Sequence, residues 1–182
     1  PERTGRFLAF LHPERYPKDA YQTEQGLIAL GSGGISGLGL GNGRQKLLYL
    51  PFAHTDFIFP VIGEEFGLAG TLGIVVAYIL FILGGVTIAV KARDRAGLLL
   101  GMGIVMIIAM QAAVNLGVTT QLLPNKGLPL PFISYGGSNL VFCMACVGVL
   151  INIYRQGLTE QEEEQMEQLE LVLQSERRPV RL

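Results

Sequence analysis

The sequence predicts an all-α fold: a multi-spanning helical membrane protein with three transmembrane helices and a large extracytoplasmic loop. Two observations carry this. Residues 66–90, 96–125 and 127–154 contain no Asp, Glu, Lys or Arg, and each run exceeds the roughly 20 residues a helix needs to cross a hydrocarbon core of about 30 Å. The first two runs are apolar all round, whereas a core helix of a soluble domain is shorter and keeps a polar face. The formal net charge of −1 argues against nucleic acid as a partner, since such proteins present a basic surface.

Taken in order, residues 1–63 are polar, glycine-rich and irregular, and form the extracytoplasmic loop. Residues 64–154 hold the spans, at about 67–90, 96–118 and 133–154, and residues 155–182 form a charged cytoplasmic tail. Orientation follows from the tight turn Lys91-Ala92-Arg93-Asp94-Arg95, whose basic residues prefer the cytoplasm, and Arg155 after the third span agrees. The N-terminal region and loop 119–138 then face outward. Arg3, Arg6, Arg15, Lys18, Arg44 and Lys46 lie on that outer side, but far from the first span, where the rule gives them little weight. The chain opens at Pro1 with no start Met, signal peptide or early apolar run. An outward N-terminal region then requires earlier spans to translocate it, so the chain is read as a C-terminal fragment.

The third span is unusual. Its purely apolar part, 140–151, is too short to cross alone, so Ser134-Tyr135-Gly136-Gly137-Ser138-Asn139 must lie at membrane depth. Such a segment lines a cavity or is buried against protein, and Ser138 or Asn139 can N-cap the helix beyond it. In the tail, Thr159-Glu160-Gln161-Glu162 reads as a capping box opening a short acidic amphipathic helix with Met166, Leu169 and Leu173 on one face. That helix is a solvated face or, more sharply, a docking face for a cytoplasmic partner.

Four motifs carry chemistry or imitate it. Cys143 and Cys146 form C-x-x-C inside an apolar helix; zinc needs four ligands and no second pair exists, so both are read as packing residues. The glycine-dense run 31–43 lacks the strand–helix context of a dinucleotide loop and the Gly-Lys-Ser/Thr of a P-loop. It reads as a loop held against other backbone, with a nest of amides for a pyrophosphate as the alternative. Leu50-Pro51-Phe52-Ala53-His54-Thr55-Asp56-Phe57 sets an imidazole and a carboxylate two residues apart where the chain enters the membrane, with Glu64 and Glu65 following. Carboxylates at that boundary are costly to bury and point to function; for Glu64 and Glu65 a cap on the first span is an equal reading. Finally, Lys126 is the lone charge between two spans. It is either a snorkelling anchor or a cation for an anionic head group.

These residues resemble a known family. His54-Thr55-Asp56-Phe57-Ile58-Phe59, then Ile62-Gly63-Glu64-Glu65, with the lead-in Gly39-Leu40-Gly41-Asn42 and Gln45-Lys46, is similar to the large extracytoplasmic loop of the SEDS proteins FtsW, RodA and SpoVE. Leu123-Pro124, Lys126-Gly127-Leu128 and Leu130-Pro131-Phe132-Ile133-Ser134-Tyr135-Gly136-Gly137-Ser138 resemble the loop before their last span. The likeness covers about residues 3–155, and Lys126-Gly127 with Ile62-Gly63-Glu64-Glu65 favours the division and sporulation branch. The chain departs from the pattern at Phe52, Pro60, Asn125, Pro129 and Asn139. Phe52 removes a carboxylate, and Pro60 is expected to end or kink the segment before the first span.

The resemblance implies a peptidoglycan glycosyltransferase of the bacterial cytoplasmic membrane, whose last three of ten spans these would be. It polymerises lipid II beside a class B penicillin-binding protein, the transpeptidase, among the divisome proteins. The family's catalytic Asp falls on Asp56. His54, Lys126, Arg44, Lys46, Glu64, Glu65, Ser134, Tyr135 and Ser138 are the expected substrate-binding residues. No metal site is assigned; His54 with carboxylates leaves a divalent cation open as a cofactor but underspecified. The resemblance also implies that the transpeptidase helix packs near the first two spans, with Gly101, Gly103, Ala109, Ala112 and Ala113 of the second as small contact residues. A lipid II flippase and a non-catalytic scaffold are the competing readings.

Overall fold

The computed structural model describes residues 2–43 and 55–176. The described residues form five α-helices: α1 (Glu2–Leu11), α2 (Pro17–Gly33), α3 (Ile58–Val90), α4 (Arg95–Thr119) and α5 (Gly137–Glu176), with a 3-10 turn at Pro13–Arg15. Ile58–Val90, Arg95–Thr119 and Gly137–Leu158 are long and apolar enough to cross a membrane. The three spans expected from composition are therefore present as helices, and the fold is all-α.

The N-terminal region is more ordered than its polar, glycine-rich composition suggests. Two helices, α1 and α2, occupy much of it, so the expectation of irregular structure is corrected. Pro13 and Pro17 open their helices at the first turn, where a missing N–H costs nothing.

Helix α3 starts nine residues before the expected span. Pro60 sits in its first turn and is tolerated there, so the expected kink at Pro60 is absent. The break falls at Gly67 instead (φ 66°, ψ −158°). The end of α2 and the glycine run dock on that break by backbone pairing. Leu38 N donates to Glu64 O at 2.9 Å, Gly39 N to Glu65 O at 3.0 Å, and Leu68 N to Gly34 O at 2.9 Å. A Cβ at Gly33 would lie 1.9 Å from Gly63 O, and one at Gly37 would lie 2.1 Å from Glu65 O. The glycines are there because backbone meets backbone, which is the packing reading of this run rather than an anion cradle.

Helices α3 and α4 close through a tight turn whose Asp94 N-caps α4, its Oδ1 accepting from Gly97 N at 2.9 Å. Small residues bring the two helices together: a Cβ at Gly85 would meet Val105 Cγ2 at 2.5 Å, and one at Gly101 would meet Ala89 Cβ at 2.9 Å. Helix α5 begins at Gly137, four residues later than expected, so Ser138 and Asn139 lie inside it and do not cap it. It runs unbroken to Glu176, so no separate helix starts at Thr159. The α5 backbone passes the Lys91–Arg95 turn closely, with Gly157 facing Lys91 O.

Candidate functional site

Asp56 precedes α3, and the 120–136 loop follows α4, so the antiparallel α3–α4 pair brings both to the same end of the bundle, opposite the Lys91–Arg95 turn. Three devices then fix Asp56 in place. The Phe57 ring is 1% exposed and packs with Val61 and Val118, against α2 where Gly26 leaves room. Asn115 on α4 donates from Nδ2 to Asp56 O at 2.8 Å. Ser134 donates its hydroxyl to Thr55 O. The Asp56 side chain reaches the Lys126-Gly127 pair, its Oδ2 lying 2.7 Å from where a Cβ at Gly127 would sit.

The loop opposite Asp56 is irregular backbone next to membrane helices, and its carbonyls are accounted for one by one. Leu128 O accepts from Asn115 Nδ2 at 2.7 Å. Pro129 O accepts from Gln111 Nε2 at 2.9 Å. Leu130 O accepts from Ser134 N at 3.0 Å. Pro131 O accepts from the Tyr78 hydroxyl. Pro129 and Pro131 have no N–H to satisfy, and Leu130 N donates to Ser134 Oγ at 2.7 Å. Buried backbone groups left unpaired cost about 1–3 kcal/mol each, and the four matched carbonyls avoid that cost in this irregular segment. Phe132 adopts φ 65°, uncommon for a bulky residue. Its ring packs tilted against Phe81, with centroids 5.5 Å apart and planes at 59°.

The expected site residues separate into groups. Asp56 and the Lys126-Gly127 pair are brought together, with Lys126 exposed. Ser134 is buried and its hydroxyl is committed to two backbone partners, so it holds the loop rather than reaching outward. Tyr135 is 82% exposed and borders an open groove of about 560 Å³ with Ile58, Ile133, Ser134, Gly137 and Leu140. Ser138 is exposed on the first turn of α5. Glu64 and Glu65 are buried, 1% and 9% exposed. They lie in α3 just before its break at Gly67. Their carboxylates face Gly43, with Glu64 Oε2 3.0 Å and Glu65 Oε1 3.2 Å from a Cβ placed there. His54, Arg44 and Lys46, together with Phe52, lie outside the described residues. No group of three or more His, Cys, Asp or Glu that could hold a metal occurs among the described residues.

Asn115, Gln111 and Tyr78 were not singled out from the sequence. Their signal was available: Gln111 and Asn115 are polar residues at i and i+4 in a 30-residue uncharged run, and polar groups at membrane depth need partners.

The model of the FtsW/RodA/SpoVE family, described as cell cycle protein, matches residues 1–158. The chain is 49% identical over 152 residues to the probable peptidoglycan glycosyltransferase FtsW of Geobacter metallireducens, covering 83% of this chain and 40% of that protein. It is 44% identical over 169 residues to the protein of the same name from Hahella chejuensis, covering 90% and 42%. The stage V sporulation protein E of Bacillus subtilis is 42% identical over 156 residues, covering 85% and 43%. Among solved structures, a chain from work on "structural coordination of polymerization and crosslinking by a peptidoglycan synthase complex" is similar with a TM-score of 0.66 and 30% identity, covering 85% of this chain and 42% of that one. The chain thus spans about two-fifths of the length of the relatives it matches.

Proposed function

Because the chain belongs to the FtsW/RodA/SpoVE family of multi-pass bacterial membrane proteins, we propose that it supplies the catalytic loop of a lipid II polymerase acting at the outer face of the cytoplasmic membrane during cell division. The observation that carries this reading is the Asp56 carboxylate held against Gly127, beside the exposed Lys126, at the end of the bundle away from the basic turn.

The arrangement suits glycosyl transfer. The acceptor sugar's hydroxyl oxygen attacks the donor's anomeric carbon as the bond from that carbon to the lipid pyrophosphate breaks. Asp56 takes the hydroxyl proton as general base, and the pyrophosphate leaves with the bonding pair. Lys126 offsets the charge that develops on it. Arg44, Lys46 and His54, near in sequence, add to the same role. Glu64 and Glu65 are buried and face Gly43, next in sequence to those cations. The apolar groove beginning beside Ser134, which bonds Thr55 next to Asp56, fits a substrate presented on a lipid chain. A class B transpeptidase is the partner this reading expects, in keeping with the name of the similar peptidoglycan synthase complex.

Asp56→Asn keeps the shape and removes the base. Glycan polymerisation from lipid II by the full-length protein with its transpeptidase should fall about a hundred- to ten-thousand-fold, with co-purification of the partner unchanged. Near-normal polymerisation by Asp56→Asn would reject the general-base role and leave transport or scaffolding.

A further inference from the structure

We infer that Asn115 is a positioning residue for the reaction: its side-chain amide ties the Asp56 loop to the Lys126-Gly127-Leu128 loop and so sets the distance between the base and the cation. The inference rests on the proposed role of Asp56.

Asn115 is 2% exposed, near the end of α4. Its Nδ2 donates to two carbonyls, Asp56 O at 2.8 Å and Leu128 O at 2.7 Å. These carbonyls belong to the catalytic residue itself and to the second residue after Lys126. The two segments are far apart in sequence, and this one NH2 group spans both. The orientation of the amide is set by chemistry, because a flip would aim Oδ1 at two carbonyl oxygens. The cost is visible: Oδ1 is buried with no hydrogen-bond partner among the described residues. A buried acceptor left unmatched is destabilising, so an amide here is a poor choice for stability alone. It is the one side chain of this size that offers two donors from one atom without bringing a net charge. Ser134 ties Thr55 O to Leu130 N further along the same loop, and Phe57 anchors the other flank; the tie on the Asp56 carbonyl itself comes from Asn115.

The test uses the full-length protein with its transpeptidase. Asn115→Leu removes both donors at nearly equal volume, and Asn115→Asp keeps the shape while offering at most one. Each should lower kcat by about ten- to a hundredfold, the scale of a misplaced reacting group, with KM for lipid II unchanged. In an Asp56→Asn background neither should cause further loss, because the effect runs through Asp56. A readout independent of activity comes from a disulfide. In a background with Cys143 and Cys146 replaced by Ala, Asp56→Cys sets a sulfur near the place of Asp56 Cγ, 3.7 Å from a Cβ at Gly127→Cys. Oxidation should join the pair readily, and several-fold more slowly once Asn115→Leu is added. Unchanged disulfide formation, or losses that multiply with Asp56→Asn, would overturn the positioning role. Slowed disulfide formation together with normal polymerisation by Asp56→Asn would keep the tie and sink the general-base reading instead. Should Asn115→Leu fail to accumulate in membranes, Asn115→Asp carries the same comparison.

Discussion

At Gly127 a single methyl group is enough to probe the geometry of the site. A Cβ there would sit 2.7 Å from Asp56 Oδ2, too close for any real contact, and the atom that must yield is the carboxylate. Gly127 is exposed and its backbone is open to L residues, so the change touches the base and little else. Gly127→Ala should therefore cut kcat for glycan polymerisation about tenfold or more, while abundance and thermal unfolding stay near wild type. A variant that polymerises normally would show that the carboxylate works from another position. At this scale the sequence was partly legible. Asp56 and Lys126 stood out because charge at a membrane boundary is rare and costly. Ser134 was found for its polarity, and its hydroxyl holds Thr55 and Leu130. Asn115 escaped notice because its function depends on a carbonyl 59 residues away in the chain, and no local pattern announces such a pairing.

At the scale of elements, the most demanding feature is the break in α3. Gly67 lies at φ 66°, ψ −158°, a region open essentially to glycine alone. A Cβ there would also meet Gly37 N at 2.4 Å and Ile35 O at 2.6 Å. Strain and collision with backbone add, so Gly67→Ala should destabilise by about 3 kcal/mol or more. Thermal unfolding of the detergent-solubilised protein and its steady-state level in membranes would register this. Gly73→Ala, one and a half turns on with nothing within 4 Å, is the matched control and should be neutral or mildly stabilising. Equal behaviour of the two variants would mean that the α2–α3 backbone docking does not matter to stability. The break also explains how a 33-residue helix suits the membrane: residues 68–90 span about 35 Å at 1.5 Å per residue, and the turns before Gly67 belong to the site. Composition located this span from about 67 because the uncharged apolar run begins just after Glu65. It could not show that helix resumes on the other side of a glycine, nor that 1–63 holds two helices, since α2 packs on α3 and α1 packs on α2, pairings that no local pattern announces. The Thr159 capping box failed for the converse reason: α5 is already helical when it arrives, and a cap has no effect without a helix to start.

At the scale of the whole molecule, α4 has two faces of small residues with different destinations. Composition grouped Gly101, Gly103, Ala109, Ala112 and Ala113 as one surface for a transpeptidase helix, and the fold divides them. Gly101 is buried, and a Cβ there would lie 2.9 Å from Ala89 Cβ and 3.6 Å from Ile153 Cδ1; Ala112 is buried in the chain's own core. Gly103 is exposed with nothing within 4 Å, in a stripe with Leu99, Met106, Met110 and Ala113. Helices in lipid associate by close packing rather than by hydrophobic drive, so a bulky side chain acts wherever it prevents approach. Gly101→Leu should therefore damage the chain itself, lowering its thermal stability and its level in membranes. Gly103→Leu should leave both intact and weaken co-purification of the transpeptidase by about tenfold, near 1.4 kcal/mol. The chain spans about two-fifths of the length of its relatives, which gives the comparison a third result. If Gly103→Leu unfolds the full-length protein even without its partner, this face is covered by other helices of the same polypeptide. The transpeptidase must then dock elsewhere, and unchanged co-purification by a stable Gly103→Leu protein would lead to the same conclusion.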